Sequence, residues 1–240
     1  MQLIHGDCLL EMKNIDDHSV DMILCDPPYG AGTKNKWDTI ISFDKLWEQY
    51  GRIIKDNGAI VIFAAGMFTS SLMQSNPSMW RYNLIWHKTT PTGFLNANRM
   101  PLRAHEDICV FYKSLPTYNP QKTAGHERKV STKSHKRNSV KTSNYGEHDL
   151  TTYDSTERFP TSVLTFSTDK QKEALHPTQK PVDLLRYLIR TYTNPGEMIL
   201  DNCMGSGSTG IAAKLEGREF IGIELDDAYF GIAQGRIQNV

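Results

Sequence analysis

Apolar residues along the chain come in short, separated bursts. Residues 3–4 (LI) precede Gly6-Asp7, and residues 20–25 (VDMILC) run into Asp26-Pro27-Pro28-Tyr29. Residues 59–65 (AIVIFAA) stop at Gly66, and 81–87 (RYNLIWH) and 108–112 (ICVFY) follow. Residues 198–200 end at Asp201, and 220–223 end at Glu224. Runs of this length bounded by Gly, Pro or Asp predict seven buried strands. Strands apolar on both faces predict a largely parallel sheet. Between them the period changes. Leu46, Tyr50, Ile53 and Ile54 fall on one helical stripe, with Gly58 as the expected stop. Pro181, Leu185, Leu188, Ile189 and Tyr192 make a second, with Pro181 suited to its first turn. Residues 211–215 and 228–237 predict two more helices. Strands alternating with helices predict an α/β, doubly wound fold.

Residues 114–168 break this rhythm. They are rich in Ser, Thr, Lys, Asn and His, show no sustained period, and read as an insertion into a single domain spanning 1–240.

Composition narrows the class. Charged residues are 22% and apolar residues 39%, which excludes wholesale disorder. No apolar run reaches membrane-spanning length, and the first residues carry no signal-peptide pattern. The four cysteines (Cys8, Cys25, Cys109, Cys203) form no CxxC pair, and the eight histidines show no metal-ligand spacing. No metal is expected, and the setting reads as reduced and cytoplasmic. The 27 basic residues balance 27 acidic ones, which excludes a uniformly basic coat. The balance is uneven, however. Residues 113–145 hold eight basic residues against Glu127 alone, so this stretch carries +7 and the rest of the chain −7. A local basic surface on a neutral protein points to a polyanion contact.

Two segments carry chemistry. In Asp26-Pro27-Pro28-Tyr29 the prolines fix the backbone and remove two amide donors, leaving carbonyl acceptors beside a carboxylate. With the Tyr29 ring, this corner suits a planar amine; a strand-ending turn with a buried tyrosine is the alternative. Asp201-Asn202-Cys203-Met204-Gly205-Ser206-Gly207-Ser208-Thr209 is a glycine-rich turn between a strand and a helix. Gly205 and Gly207 would let a ligand approach the backbone, and Glu224 stands where an acidic residue accepts ribose hydroxyls. The third glycine of the dinucleotide fingerprint is missing, and no GKS or GKT follows, which argues against NAD and a P-loop.

Together these segments resemble the S-adenosylmethionine-dependent DNA amino-methyltransferases of the adenine-N6/cytosine-N4 type. Asp26, Pro27, Pro28 and Tyr29 resemble the family's catalytic tetrapeptide. Residues 201–209 are similar to its cofactor loop, with Asn202-Cys203 in place of the usual Pro-Phe. His176-Pro177-Thr178-Gln179-Lys180-Pro181 is the most family-specific match. The resemblance implies a seven-stranded Rossmann-like methyltransferase sheet. The tetrapeptide precedes the cofactor loop, which implies the circularly permuted β-type order, with the insertion in the target-recognition slot. Implied cofactor-binding residues are Asp7, Cys8, Asp26, Thr178, Lys180, Asp201, Cys203, Gly205, Ser206, Gly207, Glu224 and Leu225. Arg103-Ala104-His105-Glu106 is also similar to the group and reads as structural or as part of a DNA cleft. Implied DNA contacts are Lys88, Arg99, Arg103, Arg128, Lys129, Lys136 and Arg137.

The expected reaction is methyl transfer from S-adenosylmethionine to the N6 amine of an adenine flipped out of DNA. Asp26 would serve as an ionised acceptor with no need of a raised pKa, Tyr29 would stack on the base, and Cys25 would be a core residue. Asp at position 26 leans towards adenine. Cytosine-N4 methylation, methylation of RNA or a protein amide, and a non-catalytic DNA-binding relative stay open. A homodimer and a cognate restriction endonuclease are the further partners the resemblance admits.

Overall fold

The computed structural model describes residues 1–30, 39–133, 152–168 and 179–240. The chain forms two compact units, Met1–Asn119 with Ser162–Val240, and Pro120–Thr161.

The larger unit is built on a sheet. Its strands are β1 (Gln2–His5), β2 (Val20–Cys25), β3 (Ile54–Ala64), β4 (Trp80–Thr92), β5 (Arg103–Phe111), β8 (Val163–Phe166), β9 (Met198–Asp201) and β10 (Glu219–Glu224). They lie in the order β1-β10-β9-β2-β3-β5-β4-β8. All neighbours are parallel except at β5, which runs antiparallel to β3 and β4. All seven expected strands form. The sheet nevertheless has eight strands among the described residues. The extra one, β8, pairs with β4 from Ile85↔Val163 to Lys88↔Phe166. Its four residues (VLTF) bury only Leu164, so they give no apolar run to read.

The helices are α1 (Cys8–Glu11), α2 (Phe43–Ile53), α3 (Met67–Ser75), α4 (Val182–Tyr192), α5 (Ser208–Leu215) and α6 (Asp227–Gln238). Alternation along the strands sorts the core into two layers. Met22 and Leu24 pack with Leu184, Leu185, Leu188, Ile211, Ala212 and Ala233 of α4, α5 and α6. Ile23 and Cys25 pack with Met12 and with Leu46, Tyr50, Ile53, Phe68 and Leu72 of α2 and α3. This is the period of two expected for a sheet covered on both faces.

Two helix ends differ from expectation. α2 gives way to strand at Ile54, and Gly58 lies inside β3, where a Cβ would come 2.9 Å from the Asp21 carbonyl oxygen. Gly58 is thus required by close strand packing, not as a helix stop. Pro181 is the N-cap of α4, in extended conformation, and its carbonyl accepts from the Leu185 N–H at 3.1 Å. At the far edge β1 pairs with β10, and α6 packs against β1.

The smaller unit contains a two-stranded antiparallel ribbon, β6 (Lys129–Ser131) with β7 (Tyr153–Ser155), extended by the bridge Thr123↔Arg158. It is shorter than the expected 114–168 insertion, because 163–166 belong to the main sheet. Its basic residues are partly neutralised. Arg128 makes a two-pronged pair with Asp154, both contacts at 2.7 Å, and Lys122 pairs with Glu157 at 3.2 Å. Over residues 120–161 eight basic residues face five acidic ones, a net charge of +3, well below the +7 of 113–145.

Candidate active site

The C-terminal ends of β1, β2, β9 and β10 open onto one cavity of about 950 Å³ in the larger unit. Ligands of open α/β sheets bind at such strand ends. Asp26 directly follows β2, and Pro27, Pro28 and Tyr29 continue along the wall. Both carboxylate oxygens of Asp26 are engaged. The Tyr29 hydroxyl donates to Oδ1 at 2.6 Å, and the Lys180 ammonium donates to Oδ2. The Tyr29 ring stacks on Phe68, with centroids 4.9 Å apart.

Lys180 stands just before α4, and its side chain is only 7% exposed. It also reaches Glu106 Oε2 at 3.4 Å, while Lys88 donates to Glu106 Oε1. Two carboxylates and two ammoniums thus alternate: Asp26, Lys180, Glu106, Lys88. Glu106 Oε2 is buried and makes no hydrogen bond. Burial raises Asp26, outweighing the Lys180 charge, and Glu106 adds to the rise. Burial also acts to raise Glu106, but Lys180 and Lys88 together hold it below the usual carboxylate range. Burial would lower Lys180, yet Asp26 and Glu106 hold it up, so it stays charged. The expectation that Asp26 has no raised pKa is therefore corrected, because its carboxyl lies in a largely dry wall.

The glycine turn faces Asp26 across the cavity. The Gly205 N–H donates to Glu224 Oε2 at 2.8 Å, and the Asp226 N–H donates to Oε1 at 2.8 Å. Glu224 is held in place and still has lone pairs for further donors. Asp201 is buried, and burial raises its pKa to about 7, against hydrogen bonds from Thr209 and from the Cys203 N–H; Asp26 and Glu224 add to the rise. Arg236 of α6 pins the turn from behind, donating to the Ser206 carbonyl at 2.5 Å and to Ser206 Oγ at 3.0 Å. Asn202 has a structural reason to stand here: its Oδ1 accepts from the buried Tyr50 hydroxyl at 2.5 Å. Burial pushes the Cys25 thiol up to about 11, which keeps it protonated as a core residue. Among the described residues no group of three or more His, Cys, Asp or Glu is placed to hold a metal ion.

Of the residues expected to bind cofactor, Asp7, Cys8, Asp26, Lys180, Asp201, Cys203, Gly205, Ser206, Glu224 and Leu225 line this cavity. Asp7 also caps α1, accepting from the Leu9 N–H at 2.8 Å. Gly207 does not line it. Its φ is +80°, and a Cβ there would lie 2.9 Å from the Ala233 Cβ, so the turn needs this glycine to pack on α6. Thr178, Lys136 and Arg137 lie outside the described residues.

Among the expected DNA contacts, Arg103 lines the cavity, and Arg99 is exposed away from it. Lys88 is 8% exposed, tied to Glu106 and set over the Trp86 ring at 4.9 Å. It is a cavity-wall residue and not a free phosphate contact. Arg128 and Lys129 lie in the smaller unit, Lys129 exposed and Arg128 paired with Asp154. Sequence reasoning set Glu106 aside as structural or part of a cleft. Its role as a joint between two lysines depends on β4 and β5 pairing Trp86 with Glu106. No local signal marked Arg236.

The lining as a whole is acidic. Asp7, Asp26, Glu106, Asp201 and Glu224 face Lys88, Arg103 and Lys180. A ligand carrying positive charge and ribose-like hydroxyls matches it, since a cation beside Asp201 favours its ionised form.

The chain is similar to known proteins over nearly its whole length. The chain is 28% identical to the type II methyltransferase M.HinfI of Haemophilus influenzae, over 99% of this chain and 68% of that protein. It is 28% identical to the type II methyltransferase M2.DpnII of Streptococcus pneumoniae, over 99% and 90%. Among solved structures it resembles the M1.HpyAVI–SAM complex with a TM-score of 0.67 and 25% identity, covering 98% of each chain. A family model for N6/N4 methyltransferases, described as DNA methylase, matches residues 20–235. With that match spanning most of its length, the chain belongs to the N6/N4 DNA methylase family.

Proposed function

We propose that this protein methylates the N6 amine of an adenine flipped out of DNA, using S-adenosylmethionine. One observation carries the reading. Asp26 with Tyr29, and Glu224 with the glycine turn, open onto the same cavity although the chain separates them widely. The first pair suits an amine, and the second suits a ribose. The acidic lining and the raised pKa of Asp201 support a cationic cofactor. S-adenosylmethionine, when bound, supplies an electrophilic methyl group on a sulfonium. Asp201, Glu224, Gly205 and Ser206 are the residues that would hold it.

An exocyclic amine is a weak nucleophile because its lone pair is delocalised into the ring. Asp26 and the Pro27 carbonyl can accept its two N–H bonds and favour a more tetrahedral nitrogen. Positioning of this kind can lower a barrier by roughly 7–11 kcal/mol at best. Lys180 already donates to Asp26 Oδ2, so the entering amine competes with that ammonium for the carboxylate. Glu106 Oε2, 3.4 Å from its ammonium, is the waiting acceptor. A nitrogen that gains a methyl must lose a proton, and burial makes Asp26 a better proton acceptor than an exposed aspartate. The target amine cannot be reached inside a duplex, so the base is extruded.

Asp at position 26 favours adenine over cytosine. The smaller unit, Pro120–Thr161, is read as the target-recognition region in place of the broader 114–168, and the order of tetrapeptide and glycine turn as a circular permutation, supported by the pairing of β1 with β10. A cognate restriction endonuclease is supported by the type II names of both relatives. A homodimer and a cytoplasmic location complete the proposal. No helix among the described residues is long and apolar enough to cross a membrane. The test is to incubate the protein with labelled S-adenosylmethionine and genomic DNA, then map the modified base by sequencing. N6-methyladenine at a fixed site is the expected result; label on cytosine or none on DNA would refute it.

A further inference from the structure

The turn joining β4 to β5 exposes a cluster of large apolar side chains. Phe94 is 77% exposed, Leu95 84%, Met100 54% and Leu102 42%. Several large apolar side chains exposed within one short turn mark a binding surface more often than a lone leucine does. The turn is built, not loose. Gly93 takes a φ of +94° and opens a 3-10 turn over Phe94–Asn96. The Asn96 N–H donates to the Gly93 carbonyl at 3.0 Å, and the Arg99 and Met100 N–H groups donate to the Asn96 carbonyl at 2.8 and 3.0 Å. Phe94 and Leu95 therefore stand out on a closed, internally bonded tip.

Its location says what it meets. Thr92 and Arg103 pair across the base of the turn, and both line the cavity that holds Asp26. The tip thus projects from the rim of the amine-binding cavity. Residues 89–105 contain Arg99 and Arg103 and no acidic residue, and both arginines are exposed. Apolar side chains at a tip flanked by cations, beside a cavity that must receive an extruded base, match a duplex. Phosphates meet the arginines, and the gap left in the stack accepts the apolar tip.

We propose that Phe94 and Leu95 form a wedge that enters the duplex base stack and holds the target base out of it. The proposal rests on the reading of this site as a DNA adenine methylase. It assigns the wedge a role in extrusion only. Once the base is in the cavity, Asp26 and Tyr29 act without it.

The experiment compares the wild type with Phe94→Ala/Leu95→Ala on three oligonucleotides carrying the site mapped by sequencing. One is a matched duplex, one the single strand, and one a duplex with the target base opposite an abasic position. Circular dichroism and calorimetry with S-adenosylmethionine confirm that fold and cofactor binding are unchanged, as expected for exposed side chains. The expected result is a loss of about 10- to 100-fold in kcat/KM on the matched duplex, with the other two substrates within about three-fold, because unstacking and unpairing are needed only where the base is stacked and paired. Phe94→Trp should keep most of the duplex activity. An equal loss on all three substrates, or none on the matched duplex, overturns the wedge. So does a wild-type dimer that the double variant converts to monomer with duplex activity intact, since the face would then join two copies. Wild-type protein that methylates none of the three substrates refutes the adenine-methylase reading itself, a distinct outcome.

Discussion

Lys180 donates to Oδ2 of Asp26 from 154 residues further along the chain. In the proposed reaction a substrate amine would seek the same carboxylate oxygen, so the lysine marks where an N–H donor is accepted. Binding of substrate would then set one N–H donor against another, with Glu106 the second acceptor within reach of the ammonium. A buried ion pair costs desolvation and is weak evidence of stability by itself. This cluster is better understood as a charge-balanced seat that keeps Asp26 oriented towards the cavity.

Asp26→Asn should abolish turnover and leave cofactor affinity within a few-fold. The amide presents a donor where the amine needs an acceptor, and losing one preorganised electrostatic contact costs about 10²–10³ in rate. Transfer of labelled methyl to DNA, with calorimetry for the cofactor, checks both halves.

Glu106→Gln should act on DNA and not on the cofactor. Lys180 then has Asp26 as its remaining carboxylate, so the entering amine competes against a tighter pair and KM for DNA rises. Glu106 also helps raise Asp26. Removing that negative charge lets Asp26 ionise more easily, so the acid limb of the kcat profile should move to lower pH. A pH–rate series on the variant decides this; an unchanged limb would remove Glu106 from the cluster's electrostatics.

Asp201 links pH to stability. Its pKa is about 7 in the fold, against 3.8 for a free aspartate side chain, so between about pH 4 and 7 the folded state keeps a proton that the unfolded chain releases. Stability therefore falls as pH rises through this window, by up to about 4 kcal/mol at 1.36 kcal/mol per unit. Asp201→Asn should flatten the fall and raise the cofactor-free melting temperature at pH 8 while weakening S-adenosylmethionine binding. Thermal melts at pH 5 and pH 8, with and without cofactor, measure both.

Glu224→Ala should weaken S-adenosylmethionine binding by about 2–4 kcal/mol, the worth of a pair of charge-assisted hydrogen bonds. It also strips the Gly205 and Asp226 N–H groups of their acceptor, so the turn loosens. Unchanged affinity by calorimetry would take Glu224 out of the site.

In the smaller unit, Lys129→Ala/Lys133→Ala should lower the slope of log K against log salt for DNA binding by up to about 2 units, at roughly 0.9 per phosphate contact. Arg128→Ala should change it less, because Asp154 already neutralises that guanidinium. Titrations across a range of salt concentrations separate the two variants.

Local pattern was enough for much of this molecule. Seven apolar runs bounded by Gly, Pro or Asp became seven strands, since a strand covered on both faces must be apolar throughout. Tyr50 and Leu188 sit on the buried faces of their helices because periodicity alone places them there. The tetrapeptide at Asp26, the glycine turn and Glu224 were legible because each is a short run of special backbone or charge at a strand end. Tertiary structure decided the rest. β8 has four residues and buries one, so only its pairing with β4 makes it a strand. Gly207 resembles a ligand contact in sequence, yet Ala233 of α6 occupies the space beside it. Lys88 reads as a surface cation until β4 and β5 set Glu106 against it. The Asp26–Lys180–Glu106 cluster joins three segments far apart in sequence, and the raised pKa values follow from burial that no local window contains. Charge type is a property of the residue; what the charge does depends on how much water and which partners the fold leaves beside it.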